Sequence, residues 1–267
     1  MSAALSPRAT LRARARRWQI LIALITLLLW ESGIRHGWLA YIIPSPQFWF
    51  SSPSAIGVLL WKLIESGRLA QHVWLTLSAT LIGLLIGAVA GTVVGTLMAS
   101  SRMLEQTFEP LWSALNAVPK IALAPALGAL LGLGIESKIA LAVMLVFFVF
   151  LFNTITGLRS CAPSILNSLR LMGAGRWQTF RMAMLPTLAR WHLSALRISL
   201  GLALTAVVVG EFVAARGGVG FLIQYGSGTF NVAWCYAGIA VLGVMALTLD
   251  TLIRLLQRWV MPWEQTA

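Results

Sequence analysis

The sequence predicts an all-α, polytopic membrane helix bundle of about six transmembrane helices with a cytoplasmic helical hairpin. Three observations predict it. Of 267 residues, 58% are hydrophobic and 10% charged, against roughly 45–50% apolar and about 25% charged in soluble domains. Six stretches approach the roughly 20 apolar residues that cross a hydrocarbon core: 18–34, 72–99, 107–131, 138–158, 188–213 and 235–257. Between the fourth and fifth lies a polar island, Arg170 to Pro186 (RLMGAGRWQTFRMAMLP). The formal charge of +12 is assigned to topology, because the arginines sit between apolar segments and not along one basic face. Lipid is the expected partner and nucleic acid is not.

Residues 1–43 hold a basic start (Arg8, Arg12, Arg14, Arg16, Arg17) and the first span. A basic start before a short apolar core also fits a secretory signal, but no small-x-small cleavage site follows Trp30, which favours an uncleaved anchor. Ile43 to Ala55, rich in Pro and Ser, reads as an extracytoplasmic loop. Ile56, Leu59, Leu60 and Leu63 then recur at helical spacing and predict an interfacial helix from Ser54 to about Ser66. The second span carries Gly83, Gly87, Gly91 and Gly95, one every helical turn, a groove into which another backbone can pack.

Pro119 and Pro125 break the third span, a defect tolerated where neighbours or a water-lined cavity satisfy the freed backbone groups. That span is the expected wall of a polar path. Charges inside spans point the same way: Lys120, Arg197, Glu211 and Asp250 stand out. The plainer reading has Lys120 snorkelling, Arg197 paired inside the bundle, and Glu211 and Asp250 near helix ends. The candidate path residues are Pro119, Lys120, Asn153 and Glu211. Gly217 to Gly228 reads as a second extracytoplasmic, glycine-rich loop. Residues 44–260 form one membrane domain, followed by a cytoplasmic tail, 261–267.

Lys and Arg stay with cytoplasmic loops. An inside N-terminus puts Arg102, Arg159, Arg170, Arg176, Arg181, Arg190, Arg254 and Arg258 on the cytoplasmic side with the basic start, and leaves Arg35, Lys62, Arg68, Lys138 and Arg216 outside. Both termini and the polar island are then cytoplasmic. Within the island region Pro163 suits a first helical turn, Ile165, Leu169 and Met172 form one apolar stripe, and Gly173 supplies a left-handed stop. Trp177, Phe180 and Met184 mark a second amphipathic segment, with Pro186 where the fifth span begins. The result is a helix-Gly-helix hairpin suited to a groove on another protein.

Gly173, nine residues, then Ala183-Met184-Leu185-Pro186 resembles the EAA loop of type I ABC import permeases, of MetI-like fold. "PSPQ" at 44–47, "AVPKIALAP" at 117–125, "LFNTITGLRS" at 151–160, Met172 to Trp177 and "VVGEFVAARGGVGFLI" at 208–223 are similar to the nitrate, sulfonate and taurine branch. The likeness runs from about Pro44 to the C-terminus. It implies a permease subunit in a bacterial inner membrane, forming a homodimer and served by an extracytoplasmic solute-binding protein. The loop, about 160–187, would be the coupling helix seated in a cleft on cytoplasmic ABC ATPase subunits. Its coupling residues are Ser164, Asn167, Ser168, Leu169, Met172, Gly173, Ala174, Gly175, Trp177, Phe180, Leu185 and Pro186.

One departure stands out: Asn167-Ser168-Leu169 replaces Glu-Ala-Ala, and Ala183 replaces the usual Ile. Docking there would rest on shape and apolar contact. The phosphate-cradling G-x-x-x-x-G-K-[ST] loop is absent from the sequence, so ATP and Mg are expected in the partner, with no cofactor, metal site or enzymatic activity in this chain. The first-choice cargo is a small organic anion, an aliphatic sulfonate or taurine-like compound whose charge Lys120 would compensate. Alternatives are nitrate, bicarbonate, an aromatic acid or a heterocyclic vitamin precursor. An ion-coupled secondary transporter would need intramembrane ion ligands and internal repeats, and no convincing repeat is present. An intramembrane enzyme would need a nucleophile or metal constellation, which the scattered His36, His72, His192, Cys161 and Cys235 do not supply.

Overall fold

The computed structural model describes residues 7–214 and 216–260, and among them every regular element is helical. In chain order these are α1 (Pro7–Arg35), a 3-10 turn (Trp38–Tyr41), α2 (Pro46–Trp49), α3 (Pro53–Glu65), α4 (Arg68–Ala99), α5 (Arg102–Ala117), a second 3-10 turn (Lys120–Leu123), α6 (Ala124–Leu131) and α7 (Ile135–Arg159). They continue as α8 (Pro163–Leu171), α9 (Arg176–Thr179), a π turn (Phe180–Met184), α10 (Leu185–Ala214), α11 (Val219–Gly228) and α12 (Val232–Val260). Five helical runs are long and apolar enough to cross a membrane, and the bent pair Arg102–Ala117 with Lys120–Leu131 makes a sixth. These six coincide with the six apolar stretches of the sequence.

Two compact units divide the chain. One holds the residues up to Leu69 together with Ile223–Ala237. In it, Ser52 caps α3 by accepting the Ala55 N–H (3.2 Å), with Pro53 in the first turn. Glu31 of α1 accepts the Ser54 N–H (2.9 Å) and hydroxyl (2.8 Å) while paired with Arg35 at 2.5 Å, so an acidic group sits at the positive end of a helix dipole. Ile56 and Leu63 of α3 are buried, and α3 occupies the position predicted for the interfacial helix. Tyr236 packs its ring near Trp30 and Phe50.

The other unit, Ala70–Leu222 with the residues from Gly238 onward, is organised by the glycine ladder. A Cβ added to Gly83 would lie 2.5 Å from Ala142 Cβ, one on Gly87 2.8 Å from Val146 Cβ, and one on Gly95 2.7 Å from Thr154 Cβ; on Gly91 it would strike the Phe147 carbonyl oxygen. Each four-residue step along α4 meets a four-residue step along α7, so the two helices run parallel with backbones touching, the close approach that small residues permit where water supplies no drive for association. Gly157 against Trp191 and Gly210 against Lys138 show α10 antiparallel to α7. Arg197–Asp250 and Gln257–Leu193 contacts set α12 antiparallel to α10. His192 adds a polar rung: its Nε2 lies 2.8 Å from the Thr92 hydroxyl and its Nδ1 3.1 Å from the Leu188 carbonyl. Leu141, Ala142, Val146 and Phe150 of α7 meet Ala195, Leu200, Ala203 and Val207 of α10 in the core.

Gly91→Val is expected to be the most damaging change in the ladder, because its branched side chain meets backbone that cannot rotate away. Overpacking of this kind costs about 1–3 kcal/mol or more, read as a lower thermal midpoint of the detergent-purified protein. Gly243→Val, inside α12 where a Cβ meets nothing within 4 Å, is the matched control and should not lower the midpoint, because the gain in helix propensity over glycine is not opposed by overpacking.

The third span is broken where the prolines predict. Pro119 precedes the 3-10 turn, Pro125 lies in the first turn of α6, and the two halves bend by 70°. Lys120 Nζ donates to the Asn116 carbonyl (2.7 Å) and Oδ1 (3.0 Å). That carbonyl is the one a continuing helix would have paired with the N–H of residue 120. The ammonium also lies 4.4 Å from the Phe148 ring centre. One sequence expectation needs correction: within Gly217 to Gly228 only Gly217 and Gly218 lie in a bend, since α11 begins at Val219. Val219 and Leu222 are buried, and Gly220 and Gly226 are small because neighbours press on them, a reason for glycine that composition does not separate from turn formation.

Candidate functional site

The helix ends of the larger unit carry two constructions. At one end, where α4 and α7 finish and the run into α10 begins, stands the hairpin. Its first arm, α8, closes with Ala174 N–H on the Leu169 carbonyl (2.9 Å) and Gly173 N–H on the Arg170 carbonyl (3.0 Å), with Gly173 at φ 75°. This is a Schellman stop with glycine in the left-handed position, as the sequence predicts. The second arm starts at Gly175, whose N–H donates to Gln178 Oε1 (2.9 Å), half of a capping box.

Beyond that point the helix departs from the sequence reading. Pro186 does not open the fifth span, because helix runs without a break from Arg176 to Ala214. Proline lacks the N–H and crowds the preceding turn. The π turn absorbs this: the Leu185 N–H reaches back to the Phe180 carbonyl, widening the helix just before the ring. The second arm is therefore the end of the transmembrane helix itself, and a displacement of the hairpin acts on α10 directly.

The hairpin presents uncovered apolar side chains: Leu171 is 90%, Met172 82% and Trp177 70% exposed. Trp177 stacks on Phe180 at 5.7 Å. Ser164, Asn167, Ser168, Gly173, Gly175, Leu185 and Pro186 are exposed, while Leu169, Ala174 and Phe180 are half-buried. Its base is anchored. Trp191 Nε1 donates to Ser160 Oγ (2.9 Å), Ser160 Oγ donates to the Gly157 carbonyl (2.9 Å), and Arg159 pairs with Glu105 of α5.

At the opposite end of the unit, Glu211 is 3% exposed. Its Oε1 accepts the Thr76 hydroxyl (2.7 Å) and its Oε2 the Gly220 N–H (2.7 Å). Thr76 Oγ1 in turn accepts the Val219 N–H (2.8 Å), and His72 Nδ1 accepts the Gly218 N–H (3.1 Å), which places a neutral ring's proton on Nε2. One carboxylate thus ties α4, α10 and the first turn of α11 together. Beside it a cavity of about 530 Å³ is lined by Leu75, Ala79, Leu133, Lys138, Glu211 and Arg216. Lys138, counted from sequence among the outer-side charges, is buried in the first turn of α7 and donates to the Leu133 carbonyl (2.8 Å).

Of the candidate path residues, the structure brings Glu211 to this cavity. Pro119 and Lys120 belong to the bend of the third span, and Asn153 donates to the Val149 carbonyl of its own helix (2.8 Å). Sequence reasoning missed Thr76 and His72, because one threonine and one histidine near the start of an apolar span carry no periodic signal. Among the described residues no group of three or more His, Cys, Asp or Glu side chains is placed to hold a metal ion.

Residues 83–265 match the family model described as binding-protein-dependent transport system inner membrane component. The riboflavin transport system permease protein RibX of Chloroflexus aurantiacus is 38% identical over 90% of this chain and 88% of its own length. The formylaminopyrimidine transport permease protein ThiX of Halalkalibacterium halodurans is 28% identical over 92% and 95%. The taurine transport system permease protein TauC of Escherichia coli is 29% identical over 73% and 71%. In fold, the chain is similar to one from the inward-facing MetNI methionine ABC transporter, with a TM-score of 0.64 and 22% identity over 72% of this chain and 96% of that one.

Proposed function

Because the chain belongs to the family of binding-protein-dependent transport system inner membrane components, and so is an ABC importer permease subunit, we propose that its cargo is a small nitrogen heterocycle of the vitamin or vitamin-precursor type. The observation that carries this is the 38% identity to a riboflavin permease across nearly the full length of both chains, with a formylaminopyrimidine permease also matched end to end. An aliphatic sulfonate or taurine-like cargo is the second reading, favoured by the 29% identity to the taurine permease over a shorter stretch.

The hairpin is the coupling element, seated on a cytoplasmic ATPase subunit that binds ATP and Mg. Its exposed Leu171, Met172 and Trp177 suit an apolar cleft, which fits the loss of the family's glutamate at Asn167. An extracytoplasmic binding protein delivers the cargo to the end that carries Glu211. The permease works as a homodimer. In support, α5 buries no residue and exposes Leu104, Phe108, Leu111 and Leu115, spaced as a helix-packing seam. ATP-driven approach of two hairpins would rock the halves as rigid bodies.

The test is uptake into proteoliposomes holding the permease with its ATPase and binding protein. Riboflavin or a formylated aminopyrimidine is expected to enter only with ATP inside the assembly's nucleotide compartment. ATP-dependent entry of taurine with none of either heterocycle would overturn the cargo reading. Entry driven by an ion gradient without nucleotide would overturn the transport mechanism.

A further inference from the structure

Arg197 of α10 and Arg254 of α12 share one carboxylate. Arg197 Nε donates to Asp250 Oδ1 at 3.0 Å, and Arg254 donates to Asp250 Oδ2. The side chains are 52% (Arg197), 51% (Arg254) and 27% (Asp250) exposed. Their depth follows from the packing of α10 on α7. Arg197 lies six residues from Trp191, which packs on Gly157 near one end of α7, and thirteen from Gly210, which packs on Lys138 near the other. At about 1.5 Å per residue that is roughly 9 Å and 20 Å along the helix, well inside a hydrocarbon layer about 30 Å thick.

A half-exposed Arg197 guanidinium at that depth is costly against lipid, and Arg254, nearer the end of its span, shares its carboxylate. A small and polar strip continues along α10 beside Arg197, with Ile198 at its border. Ser194, Arg197, Gly201 and Thr205 are all exposed on α10 at three- and four-residue steps, one side of the helix, and a Cβ on Gly201 would meet nothing within 4 Å. Two arginines and one aspartate leave one positive charge. A second copy pressed directly against this face would set equal charges together, so a water-filled gap suits it better than a dry interface.

We propose that this face of α10 and α12 is a wall of the aqueous translocation path, and that the guanidinium N–H groups not used on Asp250 receive electron-rich oxygens of the passing solute, anionic or carbonyl. The inference deepens the transport reading and rests on it for the word path. Asp250 holds both arginines in place, and the single excess charge favours acceptors over cations without trapping them.

The test uses the full transporter in vesicles of zwitterionic lipid, so that no anionic headgroup competes, with Cys161→Ala and Cys235→Ala as background. Ser194→Cys and Thr205→Cys are each treated with sulfonate-bearing and trimethylammonium-bearing methanethiosulfonates. Both positions are expected to react, the anionic reagent about fivefold or more faster than the cationic one, as clefts of one sign concentrate the opposite charge. Arg197→Gln should lower that ratio and Asp250→Asn should raise it, opposite signs that a misfolded variant cannot produce together. No reaction at either position, or a ratio unmoved by both substitutions, overturns the proposal. ATP-driven uptake with no labelling defeats this inference alone, and the labelling pattern without ATP-driven uptake defeats the transport reading alone.

Discussion

Gly173→Val is expected to leave the chain inserted and folded while lowering cargo-stimulated ATP hydrolysis, by up to roughly thirtyfold. The turn puts residue 173 at φ 75°, where an L-residue loses about 1–2 kcal/mol, and that energy is a factor of about 5–30 in the ratio of native to non-native turn, the upper bound on the loss. A β-branched side chain is the worst case. Space is not the problem, since a Cβ at 173 meets nothing within 4 Å; only the backbone conformation is at stake. Gly173→Asn is therefore the decisive control, because asparagine tolerates the left-handed region. It should keep most of the stimulation. The measurement is hydrolysis by the purified permease–ATPase complex with and without loaded binding protein, alongside the thermal midpoint of the permease alone. Equal stimulation in the valine and wild-type proteins would remove the hairpin's coupling role. Equal loss in valine and asparagine variants would show that the side chain, not the turn, matters.

The parts legible in the sequence are those that depend on composition and period. The six apolar stretches become five helices and one bent pair of sufficient length to cross, because the length needed in lipid is set by its thickness. Gly173 ends α8 as predicted because a left-handed stop is a property of a single residue, and Pro119 and Pro125 mark the break because a missing N–H acts locally. The glycine ladder announced close packing without naming its partner: that α7 runs parallel to α4, offset to meet every fourth residue, is a tertiary fact. Pro186 misled because a π turn upstream relieves the clash that proline causes in an ordinary helix. Gly217 and Gly218 do form the bend the sequence predicts, the latter at φ 107°, but Gly220 and Gly226, inside α11, misled for another reason. The same residue serves flexibility and close contact, and Gly220 is there for the second, pressed against Glu211. Cargo was the least legible feature, since a resemblance carried by backbone turns and packing positions says little about the chemistry of what passes.

Glu211→Leu is expected to lower permease stability by about 2–5 kcal/mol, roughly 4–15 °C in thermal midpoint. The carboxylate accepts from the Thr76 hydroxyl and the Gly220 N–H and is almost fully buried. Leucine leaves the buried Gly220 N–H unpaired, about 1–3 kcal/mol, turns the Thr76 hydroxyl back on the His72 carbonyl, which it already reaches at 3.2 Å, and pushes branched carbon toward Gly218 and Gly220, which lie against the carboxylate, an overpacking of about 1–3 kcal/mol more. Glu211→Gln should fall between, since an amide keeps one acceptor oxygen but turns a second donor toward donors. Thr76→Val removes the donor to Glu211 and the acceptor for the Val219 N–H, so alone it should rival Glu211→Gln. The pair tests the network. When Thr76→Val is combined with Glu211→Leu, the hydrogen bond between the two residues is lost once and not twice, and the double variant should be less damaged than the two single losses added together, by about 1 kcal/mol or more. Strict additivity would mean that the two residues do not act through each other. Coupling of the expected sign would identify Glu211 as the knot that holds the α10–α11 corner on α4.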